Sequence, residues 1–538
     1  MYTKLRMGAV ALLLLAPTGL NAATLSYCSE TNPETFDPPQ AAAQSTADAT
    51  MPIYDTLVGM VPGTTDIVGT LAESYEMSDD GTAYTFHLRP GVKFHSTATW
   101  QPTRDLTADD VIFSFQRQAD TSHPFNAVGS GTYGHFVGQG VDKLVASVEK
   151  IDDLTVRFNL TRPEVSFLPL MTMPSFAVVM SAEYADSLQA SNQLDKWATE
   201  PVGTGPFKFV AYQRDAWIRY EAFKEYWAFA ADMPEFTPQV DTMVFLITAD
   251  AAVRYAKLLA GECQIVRFPN PADIVAAREN PDVAVFEIAS ADYGFLGFNT
   301  EKKPFDDRRV RQALNYAINK DAIMDTIFRG EIGTVAGALI PPVLLGHDAS
   351  VEPYAYDPEK AKALLVEAGL ADGFTTDLWA MPVVRAYMPN AERTAELMQQ
   401  NLAAIGVEAE IVTMEWGEYL EKSIAGEHQM VILGWNYAFA DPGQILNLGW
   451  TCAAAESGLN RSRWCNTAFD DAVAAAGATT DPAERAKSYG IAQQIFQEES
   501  PAMLIAYAMK IALASPKVAG FKIAPVGPQP FVGVSVAE

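Results

Sequence analysis

The second half of the chain alternates short apolar runs with amphipathic segments, and this alternation restricts the fold more than any other feature. Residues 378–382, 407–413 and 430–435 have the length and composition of buried strands. Helical periodicity appears between and beyond them, near residues 391–405 and 482–498. Strands that alternate with helices predict an α/β fold in which a ligand binds in a cleft.

Shorter patterns in the first half predict further elements. Residues 83–89 alternate polar and apolar side chains between two turns, which indicates a strand, and residues 92–95 resume the same pattern. Thr107 is a candidate N-cap for the helix that follows it, and Asp307 begins another strongly periodic helix.

The length and charge of the chain restrict its possible partners. A chain of 538 residues exceeds what one hydrophobic core usually supports, so we expect more than one lobe. Its 38 Lys and Arg residues face 66 Asp and Glu residues, which gives a formal charge of −28. This excess of negative charge repels phosphate backbones and anionic lipids, so we expect no nucleic-acid or peripheral-membrane binding.

The N-terminus has the pattern of a secretory signal peptide. Lys4 and Arg6 precede an apolar run over residues 7–16, which is too short to span a bilayer. We expect cleavage after Ala22, with Ala23 as the alternative, and therefore an exported, periplasmic protein beginning near residue 23.

Four cysteines are present, at positions 28, 263, 452 and 465. An even number in an exported chain indicates two disulfides, for which three pairings are possible. Their short separation favours Cys452 with Cys465, which leaves Cys28 for Cys263. A zinc site is disfavoured because the sequence contains no Cys-x-x-Cys pair and no histidine close to these cysteines. Lipid attachment at Cys28 is also disfavoured, because the bulky Tyr27 precedes it.

Sequence signals of catalysis are weak. The six histidines form no His-Glu-x-x-His pair, and the chain has no Gly-x-Ser-x-Gly motif. Gly203 to Phe207 resembles a phosphate loop, but no Lys-Ser/Thr follows, so a tight turn is the better interpretation. Glu415, Glu418 and Glu427 could supply paired carboxylates, although exposed helix glutamates are more common. We therefore expect a protein that is not an enzyme and needs no metal or cofactor; a secreted hydrolase is the alternative.

A series of motifs resembles one family along almost the whole chain. The motifs are LAESYEMSDDGTAYTFHLRPGVKFH, LTADDVIFSF, VGTGPF, RQALNYAINKDAI, AYDPEKAKALLVEAGL, EWGEYL and GWNYAFADP. In this order they resemble the family 5 extracellular solute-binding proteins of ABC importers, including the positions of the four cysteines.

The resemblance implies a two-lobed periplasmic-binding-protein fold with three domains and a hinged cleft between the lobes. Domain I would comprise residues 23–60, 205–270 and 506–538; domain II, residues 61–204; and domain III, residues 271–505. The implied protein is a monomer that binds a dipeptide, short peptide or peptide-like molecule and delivers it to an ABC permease of the inner membrane.

The resemblance also implies which residues contact the ligand. Arg385 would pair with the ligand carboxylate, for which its planar guanidinium suits a bidentate contact. The strand around Gly434 and Asn436 would hydrogen-bond to the peptide backbone. Three aromatic side chains would line the cleft: Tyr387, Trp416 and Trp435.

One position departs from the family pattern. Peptide-binding relatives carry an Asp three residues after this Trp, where it pairs with the ligand ammonium, and this chain has Ala438 instead. An ammonium group buried without its counter-ion costs about 3–5 kcal/mol. Either another acid takes over, with Asp441 as our candidate, or the ligand has no free amino terminus. The second alternative would be a modified, cyclic or γ-linked (glutathione-like) peptide, or a different carboxylate such as haem.

Overall fold

The computed structural model describes residues 23–41, 43–330 and 332–537. The predicted signal peptide, residues 1–22, lies outside the described residues. Among those that are described, no helix combines the length and the hydropathy needed to cross a membrane.

Strands supply the frame of the fold. Over the described residues they are β1 (Thr24–Ser29), β2 (Val58–Met60), β3 (Ile67–Gly69), β4 (Ala72–Met77), β5 (Ala83–Leu88), β6 (Val145–Asp152), β7 (Thr155–Leu160), β8 (Phe207–Gln213), β9 (Trp217–Ala222), β10 (Thr242–Ile247), β11 (Ile265–Arg267), β12 (Ala284–Phe298), β13 (Gly333–Val335), β14 (Phe374–Trp379), β15 (Val407–Val412), β16 (Met430–Trp435), β17 (Ala502–Ala514), β18 (Val518–Ala519) and β19 (Ser535–Val536).

Helices cover the strands and connect them. Over the same residues they are α1 (Gln44–Thr50), α2 (Ala108–Ala119), α3 (Gly134–Gly138), α4 (Val141–Leu144), α5 (Phe167–Leu170), α6 (Pro174–Ala177), α7 (Ala182–Ser191), α8 (Trp227–Ala230), α9 (Ala251–Leu259), α10 (Pro271–Arg278), α11 (Arg308–Ala317), α12 (Lys320–Ile327), α13 (Pro358–Glu367), α14 (Ala391–Ala403), α15 (Trp416–Ala425), α16 (Gly443–Gly449), α17 (Cys452–Glu456), α18 (Thr467–Gly477) and α19 (Pro482–Glu499). Three short 3-10 helices add Pro38–Gln40, Leu194–Ala198 and Pro234–Phe236.

The main sheet runs through most of the molecule, in the order β15-β14-β16-β12-β17-β11-β1-β10-β9-β8, with β13 paired to β17. Strand β14 is parallel to β15 and β16, and β1 is parallel to β10 and β11, as expected for α/β connections. The long central strands β12 and β17 are antiparallel to each other. A separate antiparallel sheet, β4-β5-β7-β6, follows the early part of the chain.

Two hydrophobic cores show that the fold has two lobes. One core is built mainly from residues after Leu258, and the other mainly from residues before Ile265. Strand β17 contributes to both: Leu513 packs in the first core, and Ala512 and Ala514 pack in the second. The central strands therefore connect the lobes. The predicted α/β, two-lobed fold is confirmed; the domain boundaries given above stay a prediction.

Local signals in the sequence agree with the observed helix ends. Thr107 and Asp110 form a reciprocal capping box at the start of α2, and the Asp307 carboxylate accepts a hydrogen bond from the backbone N–H of Arg309. Helix α13 is followed by Gly369 with φ of +81°, a left-handed conformation that favours glycine.

Residues 92–95 are a correction, because they do not form a strand. Val92 and Phe94 are buried as the alternating pattern predicts. Their neighbour His95, however, hydrogen-bonds through its backbone N–H to Gly203 O, at 2.8 Å, rather than to a strand.

Both predicted disulfides are present. Cys28 in β1 is bonded to Cys263 just before β11, and Cys452 is bonded to Cys465. The described residues contain no free cysteine.

Candidate functional site

Two glycines face each other where β12 and β16 pair, and their missing side chains make room for Tyr387. Gly294 is directly opposite Gly434 in the ladder. A Cβ atom on Gly434 would overlap the Tyr387 ring, and a Cβ on Gly294 would lie 2.5 Å from the Tyr387 carbonyl oxygen. This close approach places Tyr387, which is 5% exposed, against the strand pair. Burial raises the pKa of Tyr387 to about 12, so the phenol remains a neutral hydrogen-bonding group.

Arg385 lies beside Tyr387 in a tight turn after β14. The turn is closed by two backbone hydrogen bonds between Arg385 and Met388, of 3.2 and 3.0 Å. The half-buried guanidinium donates to Val384 O at 2.9 Å and lies 5.5 Å from the centre of the Trp416 ring. In the part of the chain that the structure describes, no carboxylate is within ion-pair distance of it. Its charge is therefore available to a ligand anion.

Ring stacking and hydrogen bonds fix the position of Trp416. It is the first residue of α15, and its ring stacks on Tyr419 with a centroid distance of 5.6 Å and an interplanar angle of 22°. The Tyr419 hydroxyl hydrogen-bonds to Trp379 O at 3.1 Å and to Ile432 O at 2.8 Å, which fixes α15 to β14 and β16. The structure thus brings Arg385 and Trp416 together, although 31 positions separate them in the sequence.

The end of β16 has an open edge close to these side chains. Strand β14 pairs with β16 only at Met430 and Val431, so on this side no strand covers residues 432–435. Trp435 is the last residue of β16 and is half-buried. Its ring packs against Gly449, where a Cβ atom would lie only 2.7 Å from the ring. Its indole Nε1 is buried and has no hydrogen-bond partner among the described residues. The next residue, Asn436, is exposed.

Asp441 already has a cationic partner. Its carboxylate is buried and accepts a hydrogen bond from Arg485 Nη2 at 2.7 Å and from Gly443 N at 2.8 Å. This ion pair already balances the charge of Asp441. The hypothesis that Asp441 replaces the missing ammonium partner therefore finds no support in its surroundings, and we leave it out of the proposed site.

Ala438 lies at the junction of the lobes. Tyr437 before it packs in one hydrophobic core, and Phe439 after it packs in the other. Ala438 lines a small cavity of about 80 Å³ together with Gln44, Met173 and Gly527. The sequence position that lacks the acid is thus on the wall of a cavity next to the junction.

Sequence reasoning missed Asp292. It lies in β12 directly before Tyr293, is 7% exposed, and its Oδ1 accepts a hydrogen bond from the Tyr437 backbone N–H at 3.1 Å. The available signal was a charged residue in the second half of β12, residues 290–298, which is otherwise uncharged and buried throughout. A buried charge is rare unless it has a partner or a function.

The molecule has two α/β lobes that are joined by shared strands. Aromatic rings lie beside an open strand edge, together with a guanidinium that has no carboxylate partner among the described residues. These features define a two-lobed solute-binding protein. Residues 66–457 match the profile of the bacterial extracellular solute-binding proteins, family 5. The chain belongs to this family, whose members are binding proteins and not enzymes.

The relatives agree with this assignment. The chain is 45% identical to the dipeptide-binding protein of Escherichia coli (strain K12), over 99% of this chain and 98% of that protein. The structure of HbpA2 from Haemophilus parasuis matches with a TM-score of 0.90 and 39% identity, covering 96% of this chain and 100% of that one. The dipeptide-binding protein from Pseudoalteromonas sp. SM9913, in complex with Met-Leu, matches with a TM-score of 0.78 and 37% identity over 96% and 100% of the two chains.

Proposed function

We propose that this protein is the periplasmic binding component of an ABC importer and captures a dipeptide or another short peptide with a free carboxylate. The observation that carries the proposal is the Arg385 guanidinium, which has no carboxylate partner among the described residues and lies against Trp416 beside the end of β16. A buried or half-buried cation without a counter-ion is costly, and a ligand carboxylate relieves that cost.

The geometry around Arg385 suits an extended peptide. At residues 433–435, beyond the Ile432 carbonyl that Tyr419 occupies, the β16 edge offers backbone groups that can pair with a ligand backbone, as in strand addition. The indole N–H of Trp435 has no hydrogen-bond partner among the described residues, and it can donate to a ligand once the ring moves away from Gly449. The Trp416 ring supplies apolar surface for a ligand side chain, while the buried Tyr387 packs against the β12–β16 pair.

Closure of the lobes would then complete the site. The ligand would favour the closed state only through contacts made in that state and absent from the open one. Delivery to a permease and a monomeric state in solution belong to the same proposal.

Calorimetry on Arg385→Ala tests the role of the guanidinium. With the tightest binder from a dipeptide panel, we expect affinity to fall at least tenfold, which is about 1.4 kcal/mol. The same dipeptide with an amidated C-terminus should bind the wild type weakly, and the substitution should weaken it little further.

The matched control is Arg162→Ala, which removes an exposed arginine paired with Glu164 at 3.3 Å, far along the chain from the site. Unchanged affinity in Arg385→Ala would remove Arg385 from the site. If the wild type binds haemin or neutral sugars and no peptide, the proposed ligand class is wrong.

A further inference from the structure

Because residue 438 is Ala, this position supplies no negative charge for the ammonium group of a ligand. A peptide with a free amino terminus needs a negative group near the lobe junction. Asp441 is already paired with Arg485 at 2.7 Å. An acid that can meet an ammonium must be close to residue 438 and free of a direct ion pair.

Asp292 meets both conditions. Its Oδ1 is 3.1 Å from the backbone nitrogen of Tyr437, the residue directly before Ala438. Ser290 Oγ lies 3.0 Å from the Asp292 backbone nitrogen and so holds the local chain. Within the described ranges, no cation lies within ion-pair distance of the Asp292 carboxylate.

A local irregularity of β12 places the carboxylate there. The register between β12 and β17 shifts between Ala289 and Tyr293, so Asp292 stands outside the regular ladder. A bulge of this kind re-aims side chains and is common next to binding sites. The bulge lies in one of the two strands that connect the lobes.

Lys510 in β17 is a positive charge that acts on Asp292 from beyond ion-pair distance. Its charge lowers the pKa of Asp292, which burial raises. Burial also lowers the pKa of Lys510 itself, and the Arg267 cation of the buried Arg267–Asp48 pair acts in the same direction. Burial is the larger effect, so the pKa of Asp292 is raised overall and Lys510 offsets only part of that rise.

We infer that Asp292 supplies the negative charge for the ligand's ammonium group, the role that Ala438 leaves open. The inference rests on the proposed function, and it names the ligand class more closely. The protein would select short peptides with a free amine at one end, for Asp292, and a free carboxylate at the other, for Arg385. Ligands with a blocked amino terminus would be poor substrates.

Asp292→Asn is the appropriate variant, because an Asn side chain retains an oxygen that can accept the Tyr437 N–H while removing the charge. Calorimetry would compare the tightest dipeptide with its N-acetylated form. We expect the wild type to prefer the free-amine form at least tenfold. In Asp292→Asn the free-amine form should bind at least tenfold more weakly, with little change for the acetylated form, so that the preference disappears.

A second variant separates a charge role from a structural one. Asp292→Asn combined with Ala438→Asp restores an acid at the lobe junction, and it should recover at least part of the preference for the free amine. A variant that had merely lost its packing would not recover in this way, and a thermal melt of each variant checks its fold.

Three results would overturn the inference. They are equal binding of both ligand forms by the wild type, wild-type affinity for the free dipeptide in Asp292→Asn, and equal loss of both forms in that variant. None of these bears on the carboxylate contact, which the Arg385→Ala experiment decides separately.

Discussion

At the residue scale, the site depends on how closely Tyr387 approaches the backbone. The absence of side chains at Gly294 and Gly434 allows Tyr387 to pack closely against these two paired strands. Tyr387 follows Arg385 by two positions, so the placement of the tyrosine also fixes the backbone position from which the Arg385 side chain extends.

Gly434→Ala should disturb this arrangement. The added methyl group would overlap the Tyr387 ring and lie 2.5 Å from Tyr293 O, so the ring must move away from the strand. We expect ligand affinity to fall at least tenfold and the melting temperature to decrease.

Gly477→Ala is the control for that substitution. Nothing lies within 4 Å of a Cβ at Gly477, near the end of α18, so this change should stabilise the protein by up to about 1 kcal/mol. If Gly434→Ala binds ligand as tightly as the wild type, Tyr387 is not a positioning residue.

At the scale of elements, the segment around His95 shows how a strand pattern can form something else. His95 is 1% exposed, and its Nε2 donates to Gly205 O at 2.8 Å. Together with its backbone bond to Gly203, this pins the segment against the turn between Gly203 and Phe207. This turn also packs closely on Ile53, because a Cβ on Gly205 would lie 2.6 Å from the Ile53 carbonyl carbon.

This histidine makes stability depend on pH. Burial lowers the pKa of His95 from its usual 6.5 to about 3, so the folded state holds the neutral ring while the unfolded chain takes up a proton below pH 6.5. Its contribution is fully present above pH 6.5 and is lost as pH falls towards 3.

Urea unfolding of the wild type and His95→Gln at several pH values checks this. Between pH 6.5 and 4.5 the free energy of unfolding of the wild type should fall by about 2 kcal/mol relative to the variant. Parallel curves for the two proteins would contradict the assignment.

At the scale of the whole molecule, the long disulfide closes the chain around one lobe. Cys28 and Cys263 are 235 positions apart, and the loop between them includes the entire β4-β5-β7-β6 sheet. The bond joins β1 to the start of its neighbour β11, close to the strands that connect the lobes.

The two disulfides should therefore differ in their effect on stability. Chain entropy in the unfolded state predicts a loss of about 5 kcal/mol for Cys28→Ser with Cys263→Ser. For Cys452→Ser with Cys465→Ser, whose separation is 13, it predicts about 3 kcal/mol. Equal losses in urea unfolding would show that strain or residual structure, and not loop length, sets the contribution.

The sequence by itself determined what depends on neighbours within a few positions. Helix starts at Thr107 and Asp307 and the buried strands near residues 407–413 and 430–435 were readable, because caps and periodicity act over one or two turns. The strand expected at residues 378–382 lies earlier, at Phe374–Trp379. The family motifs also pointed to the fold and to Arg385. Residues 92–95 were not readable, since the hydrogen bonds of His95 go to a turn more than a hundred positions away.

Only the tertiary structure decided which buried carboxylates are already paired with a cation. Asp441 meets Arg485 across 44 positions, and Asp292 meets the Tyr437 amide across 145. The register of β12 against its neighbours sets the second of these distances, and helix packing sets the first. Because charge compensation is a short-range effect between groups distant in sequence, no local pattern can assign it.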